Sequence, residues 1–173
     1  LFMLQPNVFE DERGYFFESF SKQTLSKNGI SYDWVQDNEV RSDYGVIRGL
    51  HYQVGSMAQT KLVRASVGKV LDVVVDIRQA SKTYGKVFTM LLSAENKTQL
   101  LIPKGMAHGY AVLSDIAVFQ YKCDNFYNPQ DEGGVLLSDP VLNIDWMIPE
   151  KDRVISAKDL LQPLFNNHKP FLT

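Results

Sequence analysis

The chain has 173 residues, 45% hydrophobic, 12% aromatic and 22% charged, with a net charge of −2, which is the size of one domain, 1–173, with enough apolar mass for a core. Its 20 acidic and 18 basic residues are interspersed, which argues against nucleic acid or a membrane surface as partner, since both want a basic face. A single cysteine, Cys123, excludes a disulfide framework or a paired-cysteine zinc cluster and fits a reducing compartment.

The chain opens on Leu1 in an apolar stretch without Met or a basic run, which reads as a lost or disordered start and not as a signal peptide. No apolar run approaches the ~20 residues that cross a bilayer, so a soluble protein is expected. Short apolar stretches broken by Gly, Asn, Asp and Pro predict strands over 1–5, 15–20, 34–40, 46–53, 60–67, 70–77, 86–93, 99–102, 108–113 and 116–124. The clearest is 70–77, where Val70, Asp72, Val74 and Asp76 share one face and Leu71, Val73, Val75 and Ile77 the other. Helical signals are few. Residues 21–28 predict a short helix with Gly29 just past its end, and Ser156 with Asp159 three residues later predicts another that Pro163 interrupts. The expected class is all-β, a jelly-roll sandwich with a few short peripheral helices.

Two segments carry candidate chemistry. In Gly45-Val-Ile-Arg48-Gly49-Leu-His51-Tyr-Gln53, Arg48 and His51 stand three apart and should face opposite sides of a regular strand. A bulge at Gly49 would re-aim one of them. From this segment alone the plainer reading is a surface arginine and a hydrogen-bonded core histidine. In Ile102-Pro103-Lys-Gly105-Met-Ala-His108-Gly109, a Pro/Gly turn delivers His108 to the start of a strand. This is the second half of the cupin signature, and the chain resembles that group of jelly rolls. The first half is broken, because Gln53 stands where a metal cupin has its second histidine and Lys61 where a further ligand would be sought. Two site histidines fall short of a three- or four-ligand set, so no metal is expected.

A metal-free site with His, Arg, Lys and Tyr suits proton transfer beside a carbonyl. Histidine is a usable base at neutral pH. Lys61 could polarise a ketone oxygen and steady an enolate. Tyr121, on one strand face with Phe119 and Cys123, offers a phenol on the other side, although a strand tyrosine is more often packing than catalyst.

Further segments extend the resemblance along nearly the whole chain. They are Asp11-Glu-Arg13-Gly14-Tyr-Phe-Phe-Glu18, Gln36-Asp37-Asn38, Gln59-Thr-Lys61-Leu-Val-Arg64, residues 72–78, Tyr121 with Tyr127 and Pro129, Glu132, and residues 156–159. With the two segments above, they resemble the dTDP-4-dehydrorhamnose 3,5-epimerase family of cupin jelly rolls. That resemblance implies a cytoplasmic, cofactor-free homodimer that epimerises a dTDP-linked 4-keto-6-deoxyglucose at C3 and C5. By the same resemblance His51 is the general base, Tyr121 the general acid, and Lys61 the residue at the 4-keto oxygen. Arg48, His108, Glu132 and Lys158 contact substrate, and Gln36 and Asn38 line the pocket. Tyr127 stacks on thymine, Arg13 and Glu18 reach across the dimer, and Asp159 pairs with the base. Taken without the family, Asp159 reads as a capping-box residue. Asp76, and Asp72 on its face, are rival histidine partners that the sequence cannot orient. Arg64 reads more simply as a surface residue than as a phosphate contact. The chain departs from the pattern by carrying leucine before Asp139-Pro140, where relatives often have tryptophan; this is expected to alter packing. The competing readings are a mono-epimerase acting at C3 or C5 only, a non-catalytic sugar-nucleotide-binding jelly roll and a metal-dependent cupin oxygenase.

Overall fold

The computed structural model describes residues 1–171. One sheet runs β1 (Phe2–Leu4), β9 (Gln99–Ile102), β6 (Lys61–Val67), β11 (Ile116–Cys123) and β4 (Gln36–Asp43), in that spatial order. The second runs β12 (Glu132–Gly134), β5 (Val46–Gln53), β10 (Met106–Val112), β7 (Lys69–Asp76) and β8 (Val87–Ser93), with β13 (Val154–Ile155) parallel to β5. A hairpin of β2 (Phe9–Asp11) and β3 (Gly14–Phe16) stands apart from both sheets. The chain changes sheet at almost every connection, which makes the expected jelly-roll sandwich.

β7 follows the predicted alternation. Val70 and Val74 enter the core between the sheets with Val63, Leu100, Val112 and Phe119. Leu71, Val73 and Val75, with Ile77 beyond the strand, face a second core on the outside of the sheet. The C-terminal third supplies the cover for that second core through Val135, Leu137, Leu142, Trp146, Ile148 and Phe165. Trp146 Nε1 donates to the Leu137 carbonyl at 2.9 Å, so the leucine that departs from the family pattern lies in this layer. A third cluster, built on Leu25, Leu62 and Leu101, seats α1 (Lys22–Lys27) on the outside of the first sheet. Ser21 caps α1, accepting from Thr24 N, and Gly29 follows at φ +78° as expected. No helix among the described residues is long and apolar enough to cross a membrane.

Three differences from the sequence reading have local causes. The strand expected over 15–20 ends at Phe16, because Phe17 and Phe20 leave it to lie 5.6 Å from the Arg64 guanidinium and 4.9 Å from Lys122 Nζ. The strand expected over 34–40 is Gln36–Asp43, since Trp34 packs edge-on against Phe20 and Tyr32 while the polar residues to Asp43 pair with β11. β12, with the unpromising sequence Glu-Gly-Gly, pairs with β5, and there the Tyr52 ring lies so close that a Cβ on Gly133 would meet it at 2.5 Å.

Candidate active site

The bulge anticipated at Gly49 is present. His108 pairs with His51 and Tyr110 with Arg48, so three steps along β5 match two along β10. The extra residue restores Arg48 and His51 to one face of β5. Gly49 sits at φ +132° with the β10 backbone pressed against it, where a Cβ would lie 2.5 Å from Gly109 Cα. Only glycine fits that approach.

His51 faces a cavity of about 330 Å³ between the sheets, lined also by Gln36, Asn38, Gln53, Gln59, Lys61, Tyr121, Cys123, Tyr127 and Glu132. His51 comes from the second sheet, and Lys61 and Tyr121 from the first. Behind the histidine, Nε2 lies 2.6 Å from Asp159 Oδ1. A carboxylate only accepts, so an Nε2–H faces Asp159 and Nδ1 is the ring nitrogen left for proton transfer. Asp159 is delivered by α2 (Ala157–Leu160), whose cap Ser156 accepts from Asp159 N at 3.1 Å. Asp159 thus joins the cap through its backbone N–H, while its carboxylate, which a capping box would turn back to the Ser156 N–H, lies on His51 and Gly49 N instead. Burial pushes this carboxyl's pKa up, but bonds from His51, Gly49 N and the Ser156 side outweigh burial and hold it below the usual value.

Asp76 is not a histidine partner. Its buried carboxylate takes Nε and Nη2 of Arg78 at 2.9 and 2.7 Å and the hydroxyls of Ser81 and Thr83 at 2.7 and 2.6 Å, all from the turn after β7. Asp72, on the same strand face, pairs instead with His108, its Oδ2 lying 2.8 Å from Nε2. Both site histidines are thus engaged by carboxylates. Among the described residues no three His, Cys, Asp or Glu side chains converge as a metal-ligand set.

On the facing wall, burial lowers the pKa of Lys61, against the pull of Cys123, Asp72 and Glu132. Its Nζ lies 5.9 Å from the Tyr121 ring centre. Burial raises the Tyr121 phenol, keeping it protonated, and pushes the Cys123 thiol up to about 11, so the sulfur is neutral at pH 7. At the mouth, Glu132 Oε2 accepts from Tyr127 Oη at 3.0 Å and from Lys158 Nζ at 2.6 Å. Gln36 Oε1 accepts from Tyr127 N at 3.2 Å while its amide donates to Asn38 Oδ1 at 3.1 Å. Gln36 and Asn38 thus hold the loop carrying Tyr127 as well as lining the cavity. The sequence reading gave no site role to Gln59 or Cys123, although strand alternation had put Cys123 on the face of Tyr121.

Arg13 and Glu18 do not reach this cavity. Arg13 sits on the β2–β3 hairpin, 84% exposed and paired with Asp11, and Glu18 accepts from Thr24 Oγ1 at 2.8 Å. Arg64 lies on the outer face of its sheet and donates to Gln120 Oε1 at 2.7 Å, as a surface residue would.

Residues 1–167 match the family profile described as dTDP-4-dehydrorhamnose 3,5-epimerase. The chain belongs to that family. It is 49% identical over 168 residues to the dTDP-4-dehydrorhamnose 3,5-epimerase of Salmonella typhimurium, covering 95% of this chain and 90% of that one. It is also similar to the crystal structure of dTDP-6-deoxy-D-glucose-3,5-epimerase from Legionella pneumophila in complex with dTDP-4-keto-L-rhamnose. That match has a TM-score of 0.93 and 44% identity, covering 99% of this chain and 93% of that one. A 3'-monoepimerase from Streptomyces bikiniensis, solved with dTDP-quinovose, matches at TM-score 0.88 and 30% identity, covering 95% and 83%. The fold is therefore shared by double and single epimerases.

Proposed function

We propose that this protein epimerises a dTDP-4-keto-6-deoxyglucose at C3 and C5 to give dTDP-4-dehydrorhamnose, with His51 as base, Tyr121 as acid and Lys61 at the ketone oxygen. The observation that carries the assignment is the placement of a carboxylate-backed histidine on one sheet and a protonated phenol beside a lysine on the other. Inversion at carbon requires a base and an acid on opposite faces.

The 4-keto group acidifies the hydrogens on C3 and C5. His51 Nδ1 takes one of them, and the C–H electron pair becomes the double bond of an enolate whose charge rests on O4. The Lys61 ammonium stabilises that oxygen. Tyr121 then gives its proton to the opposite face as the carbonyl re-forms. His51 is left protonated and Tyr121 a phenolate, and exchange with solvent resets both. Asp159 compensates the charge that appears on His51. Tyr127, Glu132, Lys158, Gln36, Asn38, Arg48 and His108 hold the nucleotide sugar.

The active form on this reading is a homodimer. Arg13 and Glu18 are too far from their own cavity to serve it, and the hairpin that bears Arg13 exposes Phe9 and Phe16. A second copy would cover these rings and receive Arg13. The free, buried Cys123 thiol fits the cytoplasm, where we place the enzyme. The test is His51→Ala, which should abolish solvent deuterium entry into the sugar while dTDP binding is retained; exchange persisting in that variant removes His51 as base. Light scattering reports the assembly, and an active monomer would refute the dimer.

A further inference from the structure

At the end of the sandwich where β4 turns into β5, Arg48 meets two side chains that the mechanism leaves unused, Ser42 and Tyr110. Arg48 Nε donates to Ser42 Oγ at 3.2 Å, linking β5 of one sheet to β4 of the other. Arg48 is otherwise exposed, whereas Ser42 is buried. Directly opposite Arg48 in the β5–β10 register is Tyr110, also buried, its ring stacked on Phe119 with centres 4.3 Å apart and planes at 21°. Burial raises the Tyr110 phenol, while Ser42 and Arg48 alongside it pull the other way. Among the described residues its hydroxyl nonetheless has no partner in hydrogen-bond geometry. Its ring is held by the stack on Phe119.

We propose that Ser42 and Tyr110 are positioning residues for Arg48, fixing its inner Nε so that the outer Nη pair is held toward the nucleotide sugar. The inference rests on Arg48 being a substrate contact. A free arginine samples many rotamers and loses that freedom when it binds, whereas one pinned at Nε presents its planar fork already oriented. Ser42 Oγ supplies the acceptor that pins it. Tyr110, stacked on Phe119, holds its otherwise unpartnered hydroxyl beside Ser42 and Arg48, and that oxygen restrains the guanidinium from swinging inward. Phe119 also lies 6.3 Å from the Tyr121 ring, so the same aromatic stack supports the arginine and the acid.

The test is steady-state kinetics with dTDP-4-keto-6-deoxyglucose on Ser42→Ala, Ser42→Thr, Tyr110→Phe and Arg48→Ala, with thermal melts to verify folding. The expected result is a KM raised about 5- to 10-fold in Ser42→Ala and about 2- to 5-fold in Tyr110→Phe, with kcat within about twofold of the parent. Ser42→Thr, which keeps the hydroxyl, should return KM to near the parent value. A role confined to packing would lower the melting temperature without moving KM. Parental KM in both Ser42→Ala and Tyr110→Phe, or a fall in kcat at constant KM, overturns the proposal while leaving the epimerase reading intact. Parental KM in Arg48→Ala removes Arg48 from the substrate, which overturns the proposal together with the contact on which it rests.

Discussion

Replacing Asp159 by Asn isolates the part of the mechanism that geometry defines best. The substitution keeps the shape of the side chain, and an amide oxygen can still accept from the Gly49 N–H, so the fold should survive with a melting temperature within about 4 °C of the parent. What it removes is the charge opposite His51, at 2.6 Å from a carboxylate that is only 4% exposed. A charge-assisted hydrogen bond of this kind contributes about 1.5–3 kcal/mol. The bond strengthens as the imidazole takes a proton, so most of that energy is felt in the transition state. At about 1.4 kcal/mol per factor of ten, kcat should fall about 10- to 150-fold. The assay is deuterium entry at C3 and C5 in D2O, followed by NMR, alongside dTDP binding. The deficit also has a pH signature. The Asp159 pKa is held below its ordinary value, so the parent keeps its carboxylate charged from pH 8 to about 5. The stabilisation that the variant lacks should be present in the parent over that range and be lost only where acid protonates the carboxyl. An exchange rate in Asp159→Asn within twofold of the parent, with the fold intact, refutes the assignment of Asp159 to the base.

Four further outcomes follow from the same geometry. Tyr121→Phe should lower formation of the inverted product by about 10²- to 10⁴-fold while His51 continues to exchange C–H for deuterium from its own face; equal loss of both would place Tyr121 elsewhere in the reaction. Lys61→Met should lower kcat about 10²- to 10³-fold through loss of the group at O4, with the epimerisation assay as readout. Asp76→Asn should leave catalysis unchanged and cost about 3 kcal/mol in urea melts at pH 7. Burial alone would raise the Asp76 pKa, but Arg78, Thr83 and Ser81 depress it well below the carboxylate range, so this stability is present above the unfolded value near 4 and is lost as pH falls below it. Trp146→Ala should destabilise by about 3–5 kcal/mol, because the indole is fully buried over the second sheet and its N–H partner, the Leu137 carbonyl, would be orphaned.

The sheets were legible because alternation is a local signal. β7 was readable from its own eight residues, and the bulge in β5 from a single glycine between an arginine and a histidine. Partners set by strand order were not. His51 and Asp159 are 108 residues apart, and no local pattern distinguishes that pairing from one with Asp76. Asp76 did carry a local signal, since Arg78, Ser81 and Thr83 all follow within seven residues and capture it. Asp72 reaches His108 diagonally across neighbouring strands, as Tyr110 is the residue directly opposite Asp72 in register. Such a contact exists only once β7 and β10 are known to be adjacent. β12 was invisible because two glycines have no strand preference of their own; Tyr52 leaves no room for a side chain at Gly133, and Gln162 leaves none at Gly134. Ser42 reads as a surface residue between Arg41 and Asp43, yet strand alternation turns it inward to Arg48. The candidate catalytic residues His51, Lys61 and Tyr121 were suggested by their chemistry and given roles by family resemblance, and the fold adds which wall each one occupies.

The central claim is that one base on one wall and one acid on the other invert two carbons flanking a single ketone. Position-resolved deuterium incorporation into dTDP-4-keto-6-deoxyglucose in D2O tests it most directly. Deuterium is expected at both C3 and C5, with inversion at each. Label confined to one carbon would make this a mono-epimerase, and label at neither would contradict the catalytic reading altogether.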